Sequence, residues 1–411
     1  MKKFAGIDVH KDMLVTAYRK GDSIETKSFN YDFDGLSELL GMLILNDINQ
    51  VVIESTGDFY FPLYYFLSKA DITVNVMNAF KVKRPEPNKT DKRDAAWLLK
   101  VGESGLFDPS YVPDDNILAL RKLVRARFKM VDQIADCKRR INSLLWQLGI
   151  KLKASILKNK RRRDQFKKLL EGGDPGDLDK GLVSTIRSIL GKRSVRAFVS
   201  LVLSNIAVIE ALEKAVESID SEIRAIVREY EAIIEILMSV PGVSLTLASA
   251  ILSEIGDIYR FASPGKLASY AGLAPVAKES AGKTRLVGTS RKSNKYLRRY
   301  MFMAAMAAMR SNSPKIRAFS KRLFGRGKHY KVVAVAVARK MLTIIWHLLR
   351  RGTPWQEKNY SKHVKLNLKT KAKAMPINEV ANVLRKALGK GIVKPKKDEK
   401  TESRLKTGNK L

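Results

Sequence analysis

The chain has 411 residues, with 77 Lys+Arg against 41 Asp+Glu and a formal net charge of +36. At 45% hydrophobic it can bury a core, so the charge speaks of polyanionic partners rather than of disorder. No apolar run reaches the roughly 20 residues of a spanning helix, and "MKKFAGIDVHKD" lacks a signal-peptide core, so a cytoplasmic, nucleoid-associated protein with no membrane partner is expected.

Residues 1–112 alternate in period. "FAGIDVH", "MLVTAYRK" and "SIETKSFNY" read as three strands, "GLSELLGMLILN" as a helix and "QVVIES" as a strand. "YFPLYYFLSKA" then reads as a helix, "ITVNVMN" as a strand and "DKRDAAWLLKVGES" as a helix. A hairpin meander followed by strand–helix crossovers predicts a mixed sheet with helices on its faces. Pro85 and Pro87 break the chain before the last helix.

Residues 113–237 change to heptads. Ile209, Leu212, Val216, Ile219, Ile223, Ile226, Tyr230, Ile233 and Leu237 form an uninterrupted 3-4 seam, and Leu120, Val124, Val131, Ile134, Ile141, Leu145 and Leu148 a weaker one. Such a coiled coil fits either an antiparallel hairpin within the chain or a dimer seam. Between the seams, "KLKASILKNKRRRDQFKK" reads as a basic arm and "EGGDPGDLDKG" as a surface loop. Cys137, the only cysteine, lies in the helical "IADCKRRINSLL" and reads as a packing residue. The four histidines include no His-x-x-x-His pair, which argues against a histidine-based metal site.

Residues 238–356 predict a mostly helical unit. Its "SVPGVSLTLASAILSEIGD" resembles a helix-hairpin-helix DNA-binding element, whose helix start can hold a phosphate. Residues 357–411 are a Lys-rich tail, expected to be partly disordered.

The carboxylates carry the chemistry. Asp8 lies inside the first strand, Glu54 closes the strand after the first helix, and Asp91 and Asp94 sit three apart at a helix start. In an RNase H-like sheet those strands are neighbours and the last helix packs across their ends, so the four carboxylates converge. Their mutual repulsion calls for a cation. Oxygen donors suit Mg2+ or Mn2+, a pair of which can clamp a scissile phosphate. Taken singly, Asp91 would serve as a favourable charge at a helix N-terminus.

With "GIDVHK", "IESTG", "KTDKRDA" and "AGLAPVAKESAGKTRLVGTSRKSNKYLRR", the chain resembles the DEDD-type insertion-sequence transposases over about residues 1–356. The resemblance implies a RuvC-like N-terminal domain, a coiled-coil link and a C-terminal transposase domain. It makes Asp8, Glu54, Asp91 and Asp94 the metal ligands and Ser280 a catalytic serine. It further implies a homo-oligomer that joins donor and target double-stranded DNA under the guidance of a non-coding bridge RNA. The 150–200 stretch is longer than the family's usual link, and the tail has no counterpart in it.

Lys278, Lys283, Arg285, Arg291, Lys292, Lys295, Arg298 and Arg299 surround Ser280, in what reads as a glycine-flexed loop suited to nucleic-acid phosphates. A hydroxyl there could attack phosphorus and conserve the bond energy. "ESAGKT" ends like a nucleotide-binding P-loop, but Ala277 stands where that pattern needs glycine, so no ATP or GTP requirement is expected. Two other readings compete: a RuvC-like junction nuclease in which Ser280 is incidental, and a non-catalytic nucleic-acid-binding scaffold.

Overall fold

The computed structural model describes residues 3–356 apart from 56, 78–89, 108, 281–282 and 290–292. Pro85, Pro87, Arg291, Lys292 and the tail 357–411 therefore lie outside the described residues. The chain divides into two compact units that meet in sequence at Val112 and Pro113.

The first unit runs β1 (Phe4–Val9), β2 (Met13–Lys20), β3 (Ser23–Asn30), α1 (Phe33–Leu45), β4 (Gln50–Glu54), α2 (Tyr60–Lys69), β5 (Thr73–Met77) and α3 (Asp91–Ser104). One five-stranded sheet results, in the order β3-β2-β1-β4-β5. It is antiparallel among the first three strands and parallel from β1 through β4 to β5. Strand alternation divides the core in two. Ala5, Ile7, Val51 and Ile53 pack with Leu36, Leu39, Leu43, Leu63 and Leu67 of α1 and α2. On the opposite face Val15, Ala17 and Val52 meet Ala95, Leu98 and Leu99 of α3.

Two glycines let α3 lie directly on that face. A Cβ at Gly6 would stand 2.2 Å from the Ala95 carbonyl oxygen and 2.3 Å from the Leu99 nitrogen. One at Gly102 would stand 2.8 Å from both the Phe4 ring and Val52. No alanine fits at Gly6 unless the helix backbone moves.

Among its described residues the second unit is helical apart from one hairpin. It holds α4 (Asp115–Gln147), α5 (Ala154–Lys158), α6 (Lys160–Leu170), α7 (Lys180–Leu190), α8 (Arg193–Val227), α9 (Glu231–Ser239), α10 (Leu245–Ile255) and α11 (Pro264–Tyr270). Strands β6 (Pro275–Ser280) and β7 (Lys283–Thr289) follow, then α12 (Lys295–Arg310), α13 (Pro314–Phe324) and α14 (Tyr330–Arg351). Helices α4 and α8 run antiparallel within the chain. Arg127 holds Asp220 through two bonds of 2.5 and 3.0 Å, and Lys138 stands 3.9 Å from Glu213, so partner numbers fall along α8 as they rise along α4.

Four expectations need correction. The seam from Ile209 to Leu237 is not one helix: a 3-10 turn at Arg228–Tyr230 ends α8, and Ile233 and Leu237 belong to α9 in the C-terminal core. In the weaker seam Val131 is exposed, and Phe128 and Cys137 are buried in α4 instead. The basic arm is folded: Ile156, Leu157, Phe166, Leu169, Leu170 and Ile186 of α5–α7 form a core with Ile141, Leu145, Val202 and Ile206. There Arg163 is wholly buried, donating to Glu213 at 2.5 and 3.1 Å. Removing one partner of such a pair would leave an uncompensated charge, at a cost of about 3–5 kcal/mol.

Finally, two helical stretches, Val195–Ser239 and Tyr330–Arg351, are long and apolar enough to cross a membrane by length and composition, contrary to the expectation from the apolar runs. Here Val202, Ile206 and Ile209 of the first, and Val333, Val337, Met341 and Ile345 of the second, are buried in helix packing.

Candidate active site

Phe4, Gly6 and Asp8 alternate with the residues of β1 that face α1 and α2, and so fall on the α3 side. On β4 the same holds for Val52, packed with α3, and for Glu54 two residues on. The parallel register pairs Ile7 with Ile53, so Asp8 and Glu54 stand on adjacent strands immediately beyond the last pair. Thr90 caps α3 by accepting from the Arg93 nitrogen at 3.4 Å, which places Asp91 and Asp94 in the first turn of the helix seated over Gly6.

Asp8 and Asp91 come together around an unforeseen residue, His10. Its Nε2 lies 3.1 Å from Asp8 Oδ2 and 3.4 Å from Asp91 Oδ1. One donor atom from each of the three residues lies within 4.8 Å of the others. Glu54 and Asp94 are outside that group. Burial pushes the Asp8 carboxyl up, His10 pulls it down through charge and hydrogen bond, and Asp91 adds a smaller upward push. The missing His-x-x-x-His pair excludes only a two-histidine site. The spacing Asp8-x-His10, which returns to the same side of an extended chain, was the signal that could have found this one.

The second candidate element is the β6–β7 hairpin. Ser280 is not in a loop but is the last residue of β6, paired with Lys283, while Lys278 pairs with Arg285. These four positions share one face of the ribbon by register. Lys283 opens a strand rather than a helix, which a P-loop would require. The turn of the helix-hairpin-helix-like segment lies between α9 and α10, and a Cβ at Gly242 would stand 2.5 Å from the Ala304 oxygen. That glycine serves close packing on α12.

Where the chain enters and leaves the hairpin lies a buried polar network that no sequence pattern announced. Glu254, fully buried on α10, accepts from Arg125 at 2.7 and 2.8 Å and from Asn294 at 2.7 Å. Asn294 caps α12 through its Oδ1, and its backbone nitrogen donates to the Tyr270 oxygen at 2.8 Å. Arg298 donates to the Ala271 oxygen at 3.4 Å and to Ser293, tying together the two chain ends from which the hairpin departs. Arg299 holds Asp132 through two 2.6 Å bonds, so it is paired with a carboxylate inside the chain, while Arg298 is held by neutral oxygen acceptors. Lys295 remains exposed, 5.3 Å from the Tyr296 ring centre. Burial, then Glu254, pushes the Tyr300 phenol far up.

A family model for DEDD-type IS110 transposases, described as "Transposase", matches residues 5–150, and a second, "Transposase IS116/IS110/IS902 family", matches residues 234–321. Both matched segments are those of IS110-type insertion-sequence transposases. The chain is similar to the "Insertion element IS110 uncharacterized 43.6 kDa protein" of Streptomyces coelicolor, 31% identical over 37% of this chain and 38% of that protein. The "Probable family 20 transposase" of Pseudomonas aeruginosa is 33% identical over 35% of this chain and 43% of the relative. The matches to these two relatives thus span less than half of their length. The "Pilin gene-inverting protein" of Moraxella bovis is 23% identical, over 87% of this chain and 98% of the relative. Both family matches cover candidate site residues, and α5–α7 lie outside both.

Proposed function

We propose that the protein is a DNA-rearranging transposase that cuts and rejoins strands with a divalent-cation carboxylate site and a serine nucleophile. The observation that carries the reading is Asp8. Its carboxylate is mostly removed from water, with Asp91 sharing its histidine and Glu54 at the end of the adjacent parallel strand. Burial already disfavours the charge on Asp8, and the neighbouring Asp91 disfavours it further, a cost that a bound cation relieves. Asp8, Glu54, Asp91 and Asp94 would hold Mg2+ or Mn2+. When bound, such ions polarise a phosphoryl oxygen and stabilise the leaving oxygen.

Lys278, Lys283 and Arg285 stand in register around Ser280 and would offset phosphate charge there. Attack by the serine oxygen on phosphorus would form an O–P ester and release one deoxyribose hydroxyl, which takes the serine proton. Attack by a strand end on that ester restores the serine and joins DNA without an external energy source. The reading extends, through the family resemblance, to donor and target duplexes, a non-coding guide RNA and a homo-oligomer. The basic excess suits both nucleic acids.

A denaturing gel of end-labelled DNA incubated with protein and Mg2+ tests the proposal. Wild type should carry label through detergent and boiling, and Ser280→Ala should carry none and join no strands. Label on the Ser280→Ala protein would refute the nucleophile. Metal-dependent cleavage without any covalent species would favour water attack at the carboxylates, the nuclease reading.

A further inference from the structure

The DEDD reading assigns the site four carboxylates and no nitrogen. His10 stands among them. Its backbone nitrogen donates to the Met13 oxygen at 3.0 Å, closing the turn that follows β1 and fixing where the ring leaves the chain. The ring nitrogen then sits 3.1 Å from a carboxylate oxygen of Asp8 and 3.4 Å from one of Asp91, which arrives from a distant part of the sequence.

Those separations match donor spacing around a single ion. For metal–ligand distances of about 2.1 Å, neighbouring donors lie about 3.0 Å apart in an octahedral shell and about 3.4 Å apart in a tetrahedral one. The His10 and Asp91 side chains are 45% and 49% exposed and Asp8 only 16%. The group therefore has a sheltered inner wall and an open outer side, as a site needs if it is to keep positions for water or a phosphate oxygen.

We propose that His10 is a protein ligand to the site's cation, together with Asp8 and Asp91, an inference that rests on the carboxylate reading above. An imidazole nitrogen adds little for Mg2+, which demands oxygen donors, and adds affinity for first-row transition ions along the series from Mn2+ to Co2+ and Zn2+. The site thus prefers Mn2+-class ions over Mg2+ more strongly than four carboxylates alone would. In the ion's absence the same ring nitrogen stands between the two carboxylates, hydrogen-bonded to Asp8 and 3.4 Å from Asp91, which keeps the site formed.

The full-length protein loaded with Mn2+ tests this by pulsed electron paramagnetic resonance, which reads nitrogen-14 coupling directly and needs no DNA. Wild type should show coupling to one imidazole nitrogen, and His10→Ala should lose it. Co2+ titrations followed by visible absorption should show about tenfold or more weaker binding in His10→Ala, with Mg2+ competition changed less than about twofold. His10→Gln, which retains a hydrogen-bond donor, should behave like the alanine variant in both measurements; circular dichroism checks that both variants fold. Mn2+ bound without nitrogen coupling, or equal Co2+ affinity in all three proteins, overturns the ligand assignment while leaving the carboxylate site standing. Failure of wild type to bind any of these ions overturns both.

Discussion

Substituting Gly6 by alanine should damage the candidate metal site without touching any of its donor atoms. The added Cβ would stand 2.2 Å from the Ala95 oxygen, 2.3 Å from the Leu99 nitrogen and 2.8 Å from the Leu98 carbonyl carbon. An ordinary carbon–oxygen contact is about 3.3 Å, so α3 must retreat by about 1 Å. Overpacking of this kind costs about 1–3 kcal/mol, or roughly 5–20 °C in the melting of a unit of this size. Because Asp91 and Asp94 ride on the first turn of α3, the same retreat separates them from Asp8; a misplacement of about 1 Å can cost on the order of 100-fold in rate. Mn2+ affinity, melting and strand cleavage should all fall together. Gly41→Ala is the control: nothing lies within 4 Å of its Cβ on α1, so removing a helix glycine there should stabilise by about 0.5–1 kcal/mol. A Gly6→Ala protein that melts, binds Mn2+ and cleaves like wild type would refute the close-approach argument.

Asp8→Ala and Glu54→Ala should each abolish metal-dependent strand cleavage in a gel assay while leaving filter-bound DNA largely unchanged. Glu254→Gln should leave Arg125, and Arg121 whose Nε lies 3.9 Å from the same carboxylate, short of a countercharge and destabilise the helical unit by about 3 kcal/mol, read as a lowered denaturant midpoint, and should loosen amide protection at the α12 start. Ending the chain at residue 356 removes 16 of the 77 basic residues and 5 of the 41 acidic ones. It should flatten the salt dependence of DNA binding by about 0.9 log units for each phosphate that the tail had neutralised, with the sequence that is cut unchanged.

The first unit was legible because its elements are short, strongly periodic and separated by sharp turns. Alternation in "FAGIDVH" and "QVVIE" decides which side Asp8 and Glu54 take, and the βββαβαβα order decides that they are neighbours. What escaped depended on packing that pattern cannot encode. Gly6 looks like any strand glycine until α3 is laid on it. Arg163 sits in a run of four basic residues whose composition says solvent, yet only it faces Glu213 and the interior. The hairpin around Ser280 reads as a loop because its charges mask a strand's period. Glu254, in an otherwise uncharged helix, is a carboxylate whose partners come from α4 and from the start of α12, 129 and 40 residues away.

The charge total also changes meaning once divided by unit. Residues 1–112 hold 14 Lys+Arg and 16 Asp+Glu, so the remaining 299 residues, with 63 and 25, carry the entire basic excess. If the carboxylate site accepts a phosphate, as proposed, it faces repulsion from it, and the near-neutral first unit would do little to offset that repulsion beyond a bound cation. On the same reading attraction to DNA belongs to the helical unit and the tail, where the salt-dependent counterion release would arise. This division predicts that carboxylate substitutions alter chemistry at constant salt slope, whereas neutralising exposed cations of residues 113–411 alters the slope and leaves the chemistry of bound DNA intact. Asp8→Ala measured across a salt series separates the two: a slope equal to wild type supports the division, and a changed slope means that the first unit holds the duplex after all.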